Sequence, residues 1–298
     1  MKYIALVMVF VMTFGGVMVA AGLEGGVHLV TKVMLPAMPA EVMIIIGVAI
    51  SAFLIANPPD LVKQTLSAFK CLSKPEAHTK QDYIDLLCLM YTLFKLARTK
   101  GWLALESHIE EPETSDLFAQ FPAVKNNHHA LVFLCDYLRI ISLGNDNAFQ
   151  IEALMDEEIE TISHHEERPG HAMQVMADGL PALGIVAAVL GVIKTMASID
   201  QPPEILGKLI GAALVGTFLG VWAGYGFAGP FAGAMLARAE SEIMYYKCIK
   251  VGIIAFLNGA APQVAVEFSR KLLPHNVQPT GIVLEDKLNE HPSPAGDN

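Results

Sequence analysis

Four long apolar stretches, almost free of charged residues, decide what this 298-residue chain can fold into. A helix needs roughly 20 such residues to cross about 30 Å of bilayer hydrocarbon. The stretches cover residues 3–22, 35–56, 178–197 and 209–237. Only 17% of all residues are charged, against about 25% in an ordinary soluble domain. The sequence therefore predicts an all-α integral membrane protein with four transmembrane helices and a large helical cytoplasmic domain.

Basic residues predict the orientation of these helices. Ten of the 20 Lys and Arg residues lie in 57–177 and six in 238–298, whereas the two short connections carry one lysine each. Because basic residues favour the cytoplasmic side, both chain ends and the long loop are expected in the cytoplasm. Residues 1–56 and 178–237 are then two transmembrane hairpins. A cleaved signal peptide is the alternative for the first stretch, but its apolar run exceeds the ~7–15 residues of such a signal.

Residues 57–177 are predicted to be a cytoplasmic helical loop, because their apolar residues follow a helical period. Ile151, Met155 and Ile159, for example, fall on one helical face. The loop holds 18 carboxylates against ten Lys and Arg, so it is expected to be acidic and water-facing. The whole chain is acidic as well, with 30 Asp and Glu against 20 Lys and Arg, and this balance argues against nucleic-acid binding. Residues 238–298 are predicted to be a cytoplasmic helical tail, loose from Pro274 on and disordered near its end.

No carboxylate is expected deep inside a membrane helix. Glu41 and Asp178 are the acidic residues within the four stretches, and both lie towards an end of their stretch. Ion carriers commonly keep an ionisable group at mid-membrane. Any ion transfer by this chain would therefore need such a group from another chain.

Small residues are spaced four apart in the third and fourth stretches. In membranes this spacing lets helices approach closely. The two strips comprise Gly184, Ala187, Ala188, Gly191, Gly216, Gly220 and Gly224. They fit packing between these two helices of one chain, and they also fit contacts to neighbouring subunits and to a partner helix.

Two prolines and one hydroxyl interrupt the same two helices. Pro181 stands either in a first helical turn, where proline is tolerated, or beside a functional path. Pro230 lies inside the fourth stretch, where it is expected to kink the helix and free a backbone carbonyl. Thr217 either bonds back to its own helix or faces a polar passage.

Several longer motifs resemble the MotA family of flagellar motor stator proteins, part of the MotA/TolQ/ExbB superfamily. The segments at 180–192, 215–220 and 225–230 resemble the family's third and fourth spans, and those at 149–160 and 265–271 resemble its loop and tail. The resemblance covers nearly the whole chain, including the four-span plan and the large second loop.

The resemblance implies a torque-generating complex in the bacterial cytoplasmic (inner) membrane, not an enzyme. Such proteins form a pentameric ring around two helices of the partner MotB, which supplies the membrane aspartate that takes up the ion. Ion passage turns the ring, and its cytoplasmic loops push the rotor protein FliG. No metal and no cofactor is implied, and H⁺ is the expected transported ion.

The resemblance also assigns roles to single residues. It places Pro181 and Pro230 beside the partner's aspartate. It assigns the rotor contact to Arg98 and Glu106, and also to Glu158 in the matching acidic helix. By spacing alone, these three charges would be ordinary solvated side chains.

Two positions bear on the choice of ion. Sodium-driven relatives have a threonine where this sequence has Ala188, and they share the fourth-span threonine found here as Thr217. A sodium ion needs several oxygen ligands, so the missing hydroxyl favours a proton. A sodium-driven stator is the alternative.

Three other functions fit the sequence less well. An ExbB/TolQ-like energy-transducing ring is the nearest, but those proteins have three spans and a different loop order. A self-contained transporter would need intramembrane charges or a substrate site at broken helices. A metalloenzyme would need a third ligand beside the histidine pairs at 128–129 and 164–165, and the sequence offers none at the usual spacing.

Overall fold

The computed structural model describes residues 2–71 and 77–290, and these residues form helices and connecting turns without a β-strand. Four helical stretches are long and apolar enough to cross a membrane: Ile4–Ala21, Leu23–Ala56, Ala148–Met196 and Pro203–Leu257. The predicted fold class, an all-α membrane protein with four transmembrane helices, is therefore confirmed. The predicted disorder at 291–298 falls outside the described residues.

The helices follow one another with short connections. In chain order they are α1 (Lys2–Ala21), α2 (Leu23–Leu29), α3 (Leu35–Ala56), α4 (Pro59–Cys71), α5 (Lys80–Lys100), α6 (Glu106–Glu110), α7 (Asp116–Ala119), α8 (Pro122–Lys125), α9 (His128–Ser142), α10 (Ala148–Met196), α11 (Pro203–Ala223), α12 (Gly229–Leu257), α13 (Pro262–Leu272) and α14 (Gly281–Glu290). A 3₁₀ turn at Trp102–Leu105 precedes α6. π-helical turns at Val30–Met34 and Gly224–Ala228 join α2 to α3 and α11 to α12 without a break.

The chain divides into two compact units, each with its own hydrophobic core. The first unit comprises Met1–Pro75 and Glu166–Ala237, and it holds the apolar stretches. The second comprises Glu76–His165 and Arg238–Asn298. Residues 166–177, which the sequence places in the loop, therefore pack with the membrane helices. Met173 and Ala177 show why, because both are buried in the core of the first unit.

Helix α5 is the centre of the second unit. It begins at a capping box, in which Thr79 Oγ1 accepts a hydrogen bond from the Asp82 amide and Asp82 Oδ2 accepts one from the Thr79 amide. Its residues Leu86, Leu87 and Leu93 are fully buried, and α13 and α14 pack against it. The three cysteine thiols of this unit, at Cys88, Cys135 and Cys248, are free and buried. Burial raises the pKa of each thiol to about 12, so these thiols are unreactive near neutral pH.

The prediction of a loose tail from Pro274 on is wrong for the described residues up to 290. Helix α14 returns to α5, and Val277, Leu284 and Leu288 are buried in the core of the second unit. Proline frequency suggested a loose chain, but the regularly placed apolar residues of this segment bury enough surface to order it.

Helix α10 runs for 49 residues, far beyond the predicted third span. Pro181 lies inside this helix and does not open it. The interpretation of Pro181 as a first-turn proline is therefore wrong. A second proline, Pro169, also lies within α10.

Candidate functional site

Helices α10 and α11 meet along a seam of glycines in the first unit. A β-carbon at Gly220 would lie 2.6 Å from the Leu180 carbonyl oxygen and 2.7 Å from the Gly184 α-carbon. A β-carbon at Gly184 would lie 2.9 Å from the Gly216 carbonyl oxygen, and one at Gly191 would lie 2.6 Å from the Ala213 β-carbon. The two backbones approach so closely that there is room for the hydrogen atom of a glycine but not for a larger side chain. Of the packing modes left open by the sequence, this structure shows the one within a single chain.

At the end of the seam nearest Ala177, Pro181 lies against the π-helical turn. A β-carbon at Gly224 would lie 2.8 Å from the Ala177 carbonyl oxygen and 3.1 Å from Pro181 Cδ. Pro181, half-buried in α10, thus lies directly against the first residue of the turn.

Pro230 is the second residue of α12 and follows this π-helical turn. A proline ring conflicts with the carbonyl four residues earlier in a regular α-helix. In the turn, the Gly229 amide donates to the Gly224 carbonyl, five residues back. The chain therefore meets Pro230 with a local widening of the helix, one of the usual causes of a helix bend.

The sequence places Glu41 towards one end of the second stretch, and the structure buries its side chain within the first unit. Its side chain is only 7% exposed, and its Oε2 lies 2.5 Å from where a β-carbon of Gly216 would be. The same position on Gly216 is 3.2 Å from the Ala188 amide nitrogen, so Glu41 faces the region of the α10–α11 seam.

The apolar run that begins at residue 35 predicts a second span in which Glu41 lies near the start. In the structure, α2, the π-helical turn and α3 form one apolar stretch of 34 residues from Leu23 to Ala56, and Glu41 is in its interior. The stretch holds two carboxylates, Glu24 near its start and Glu41 in its interior, and of these two only Glu41 is buried.

Ala188 and Thr217, the two positions that bear on ion choice, flank this contact. Ala188 is half-buried beside Gly216, and Thr217 is the half-buried residue that follows Gly216. The structure thus gathers Ala188, Thr217 and Glu41 around one glycine of the seam.

The predicted rotor-contact residues lie in the second unit and differ in their surroundings. Arg98 Nη2 donates to the Gly259 carbonyl at 3.1 Å, and its guanidinium lies 5.7 Å from the centre of the Phe256 ring. Glu158 accepts a hydrogen bond of 2.7 Å from the Tyr137 hydroxyl. Glu106 is exposed at the first turn of α6. Arg98 and Glu158 therefore have structural partners that the sequence did not reveal.

Two family models match this chain. The model described as "Motility protein A N-terminal" matches residues 3–101, and that of the MotA/TolQ/ExbB proton channel family matches 127–247. Motility protein A of Salmonella typhimurium is 41% identical over 275 residues, covering 92% of this chain and 90% of the relative. Motility protein A of Escherichia coli is 41% identical over 281 residues, covering 94% and 92%.

The chain belongs to the motility protein A family. The resemblance drawn from its motifs is thereby confirmed. The MotAB stator complex of the flagellum from Bacillus subtilis includes a chain of the same fold, with a TM-score of 0.69 and 28% identity over 95% of this chain and 98% of that one. The match to the N-terminal motility protein A model favours this family over an ExbB/TolQ-like ring.

Proposed function

We propose that this chain is the membrane stator subunit of a bacterial flagellar motor, which conducts protons together with a MotB partner and drives the rotor through FliG. The 41% identity to motility protein A along nearly the full chain carries this proposal. The region matched at this identity includes the membrane helices that form the glycine seam and the segment that holds Arg98 and Glu106.

The proposed assembly is a homo-oligomeric ring, a pentamer around a MotB dimer, in the cytoplasmic membrane with both chain ends in the cytoplasm. Exposed apolar surface in the single chain supports this proposal. In the most apolar windows of the four spans, 28% of residues or fewer are buried. On α10, Ile185, Val189 and Val192 are about half exposed or more. Lipid, neighbouring subunits and partner helices are the environments that can cover such a surface.

The energy source in this proposal is the ion gradient, and the chain performs no enzymatic step. One charge crossing 100 mV releases about 2.3 kcal/mol, so the free energy available to each step of the motor is small. Contacts through exposed charges suit such steps, because an exposed ion pair contributes about 0–1 kcal/mol and separates readily.

The proposed ion is the proton, and swimming speed tests this choice. Cells that lack their own stator would receive this chain with its MotB, and speed would be followed while sodium is varied at fixed pH and a protonophore is added. We expect a speed that ignores sodium and collapses with the protonophore. A speed that tracks sodium would keep the stator function and overturn the ion assignment, and immobile cells with an assembled complex would overturn the stator function.

Reversing the charge of Glu106 is expected to lower torque without affecting the amount of protein in the membrane. Glu106 is exposed on the second unit, so Glu106→Lys removes no packing. The measurement is the stall torque of tethered cells, with Glu152→Lys, which changes another exposed carboxylate, on α10, as the matched control. Partial recovery with a charge-reversed FliG would identify the contact; equal loss in both variants would contradict it.

Arg98→Glu is expected to lower torque and also to weaken the fold, because it breaks the bond to the Gly259 carbonyl and the contact with Phe256. The two rotor variants should therefore differ in thermal unfolding although both reverse one charge.

A further inference from the structure

The 3₁₀ turn Trp102–Leu105, which joins α5 to α6 in the second unit, exposes one large apolar side chain. A 3₁₀ helix has about three residues per turn, so Trp102 and Leu105 lie on one face of it and Leu103 on another. Leu105 is fully buried, whereas Leu103 is 78% exposed. The fold therefore directs Leu105 into the core of the second unit and leaves Leu103 outside it.

The chain is held in place directly before Leu103. The Trp102 ring packs edge-on against the buried Phe256 ring, with the two ring centres 5.6 Å apart. The Gly101 amide donates to the Ala97 carbonyl at 2.9 Å, and Gly101 has a φ of +82°, which other residues rarely adopt. Because the fold already fixes the turn, a partner that contacts Leu103 would not have to order it first.

Charges of opposite sign flank Leu103 along the chain. Arg98 and Lys100 lie in the last turn of α5, and Glu106 lies in the first turn of α6. All three side chains are exposed. Arg98 also contacts the Phe256 ring that anchors the turn, with its guanidinium 5.7 Å from the ring centre. A single exposed leucine is ordinary, but this one is held between two predicted rotor-contact charges, as an apolar centre with a polar rim.

We propose that Leu103 is the apolar centre of the rotor contact and that it receives an apolar side chain of FliG flanked by an acidic and a basic residue. This inference rests on the proposed stator function. Charge complementarity favours this occupant, because an acidic group of the rotor would face Arg98 and a basic group would face Glu106. Exposed ion pairs contribute little and weaken with salt. Leu103 then supplies the part of the affinity that does not depend on charge.

Two substitutions test the apolar contact. Leu103→Ala removes most of the side chain, whereas Leu103→Met keeps a similar volume. Because Leu103 is exposed, neither variant should change the thermal unfolding of the chain. Ile282→Ala is the matched control, since Ile282 is 74% exposed and lies on α14, outside the segment 98–106. Each variant would be made in the full complex with MotB.

The first readout is the affinity of the reconstituted complex for purified FliG at low and at high salt. We expect Leu103→Ala to weaken binding roughly 10-fold, by the same factor at both salt concentrations. Leu103→Met and Ile282→Ala should bind as the wild type does. Wild-type affinity in Leu103→Ala, or a loss that disappears at high salt, would overturn the proposal. If the wild type itself does not bind FliG, the rotor contact of the proposed function fails, and the inference fails with it.

The second readout is the stall torque of tethered cells, together with the mass of the purified complex and its level in the membrane. We expect Leu103→Ala to lower torque, while the mass and the membrane level stay at their wild-type values. A smaller complex would place Leu103 against a neighbouring copy of this chain and would overturn the rotor assignment. Unchanged torque in Leu103→Ala would contradict it as well.

Discussion

Replacing Gly220 by alanine is expected to separate α10 from α11 and to abolish motility. The added β-carbon would lie 2.6 Å from the Leu180 carbonyl oxygen, 2.7 Å from the Gly184 α-carbon and 2.9 Å from its amide nitrogen. All three neighbours are backbone atoms, so no side chain can rotate away. Overpacking a filled core costs about 1–3 kcal/mol, and we expect a loss at or above the top of that range here.

The matched control for Gly220→Ala is Gly207→Ala in the same helix. Gly207 is exposed, and a β-carbon there would have open space around it. Since alanine favours a helix over glycine by about 1 kcal/mol, this control should be neutral or slightly stabilising. Thermal unfolding of the detergent-solubilised protein and its level in the membrane would be compared. Equal behaviour of the two variants would show that the seam is not held by backbone contact.

Replacing Arg270 by alanine is expected to destabilise the second unit by about 3 kcal/mol, through lost packing and an orphaned buried carbonyl. Arg270 is 6% exposed. Its Nη1 donates to the Pro279 carbonyl at 2.8 Å, and its Nε donates to Glu267 Oε2 at 2.7 Å. Through these bonds a single side chain of α13 holds the segment that leads to α14. Lys271→Ala, the exposed neighbour, should change stability by about 0.5 kcal/mol or less.

The ion pair between Arg270 and Glu267 predicts that the stability of the second unit depends on pH. The hydrogen bond from Arg270 lowers the pKa of Glu267 below its usual range. A carboxyl with a lowered pKa in the folded state stabilises the fold above its unfolded pKa, about 4.3, and this stabilisation is lost as pH falls through the folded value. The unfolding temperature of the wild type should therefore decline in acid more steeply than that of Arg270→Ala. Parallel declines would show that Glu267 does not act through Arg270.

The membrane helices could be predicted from sequence because each depends on one local property, an uninterrupted apolar run. The tail beyond Pro274 could not, since its order depends on Leu284 and Leu288 meeting α5, nearly 200 residues earlier in the chain. The partners of Arg98 are similarly remote, with Gly259 separated from it by 161 positions.

Glu41 shows a different limit of sequence reasoning. A hydropathy pattern marks which residues are apolar, but it does not show where a helix with π-helical turns begins or which face it buries. The spacing of the glycines predicts close packing of two helices, but the backbone contact between them and the approach of the Glu41 carboxyl group to Gly216 depend on residues far apart in the sequence.

The length of α10 has a mechanical consequence. At 1.5 Å per residue its 49 residues extend for about 73 Å, and the prolines at 169 and 181 concentrate bending at two points. Any bending of α10 is therefore expected at these two prolines, one of which lies against the glycine seam, and not evenly along the helix.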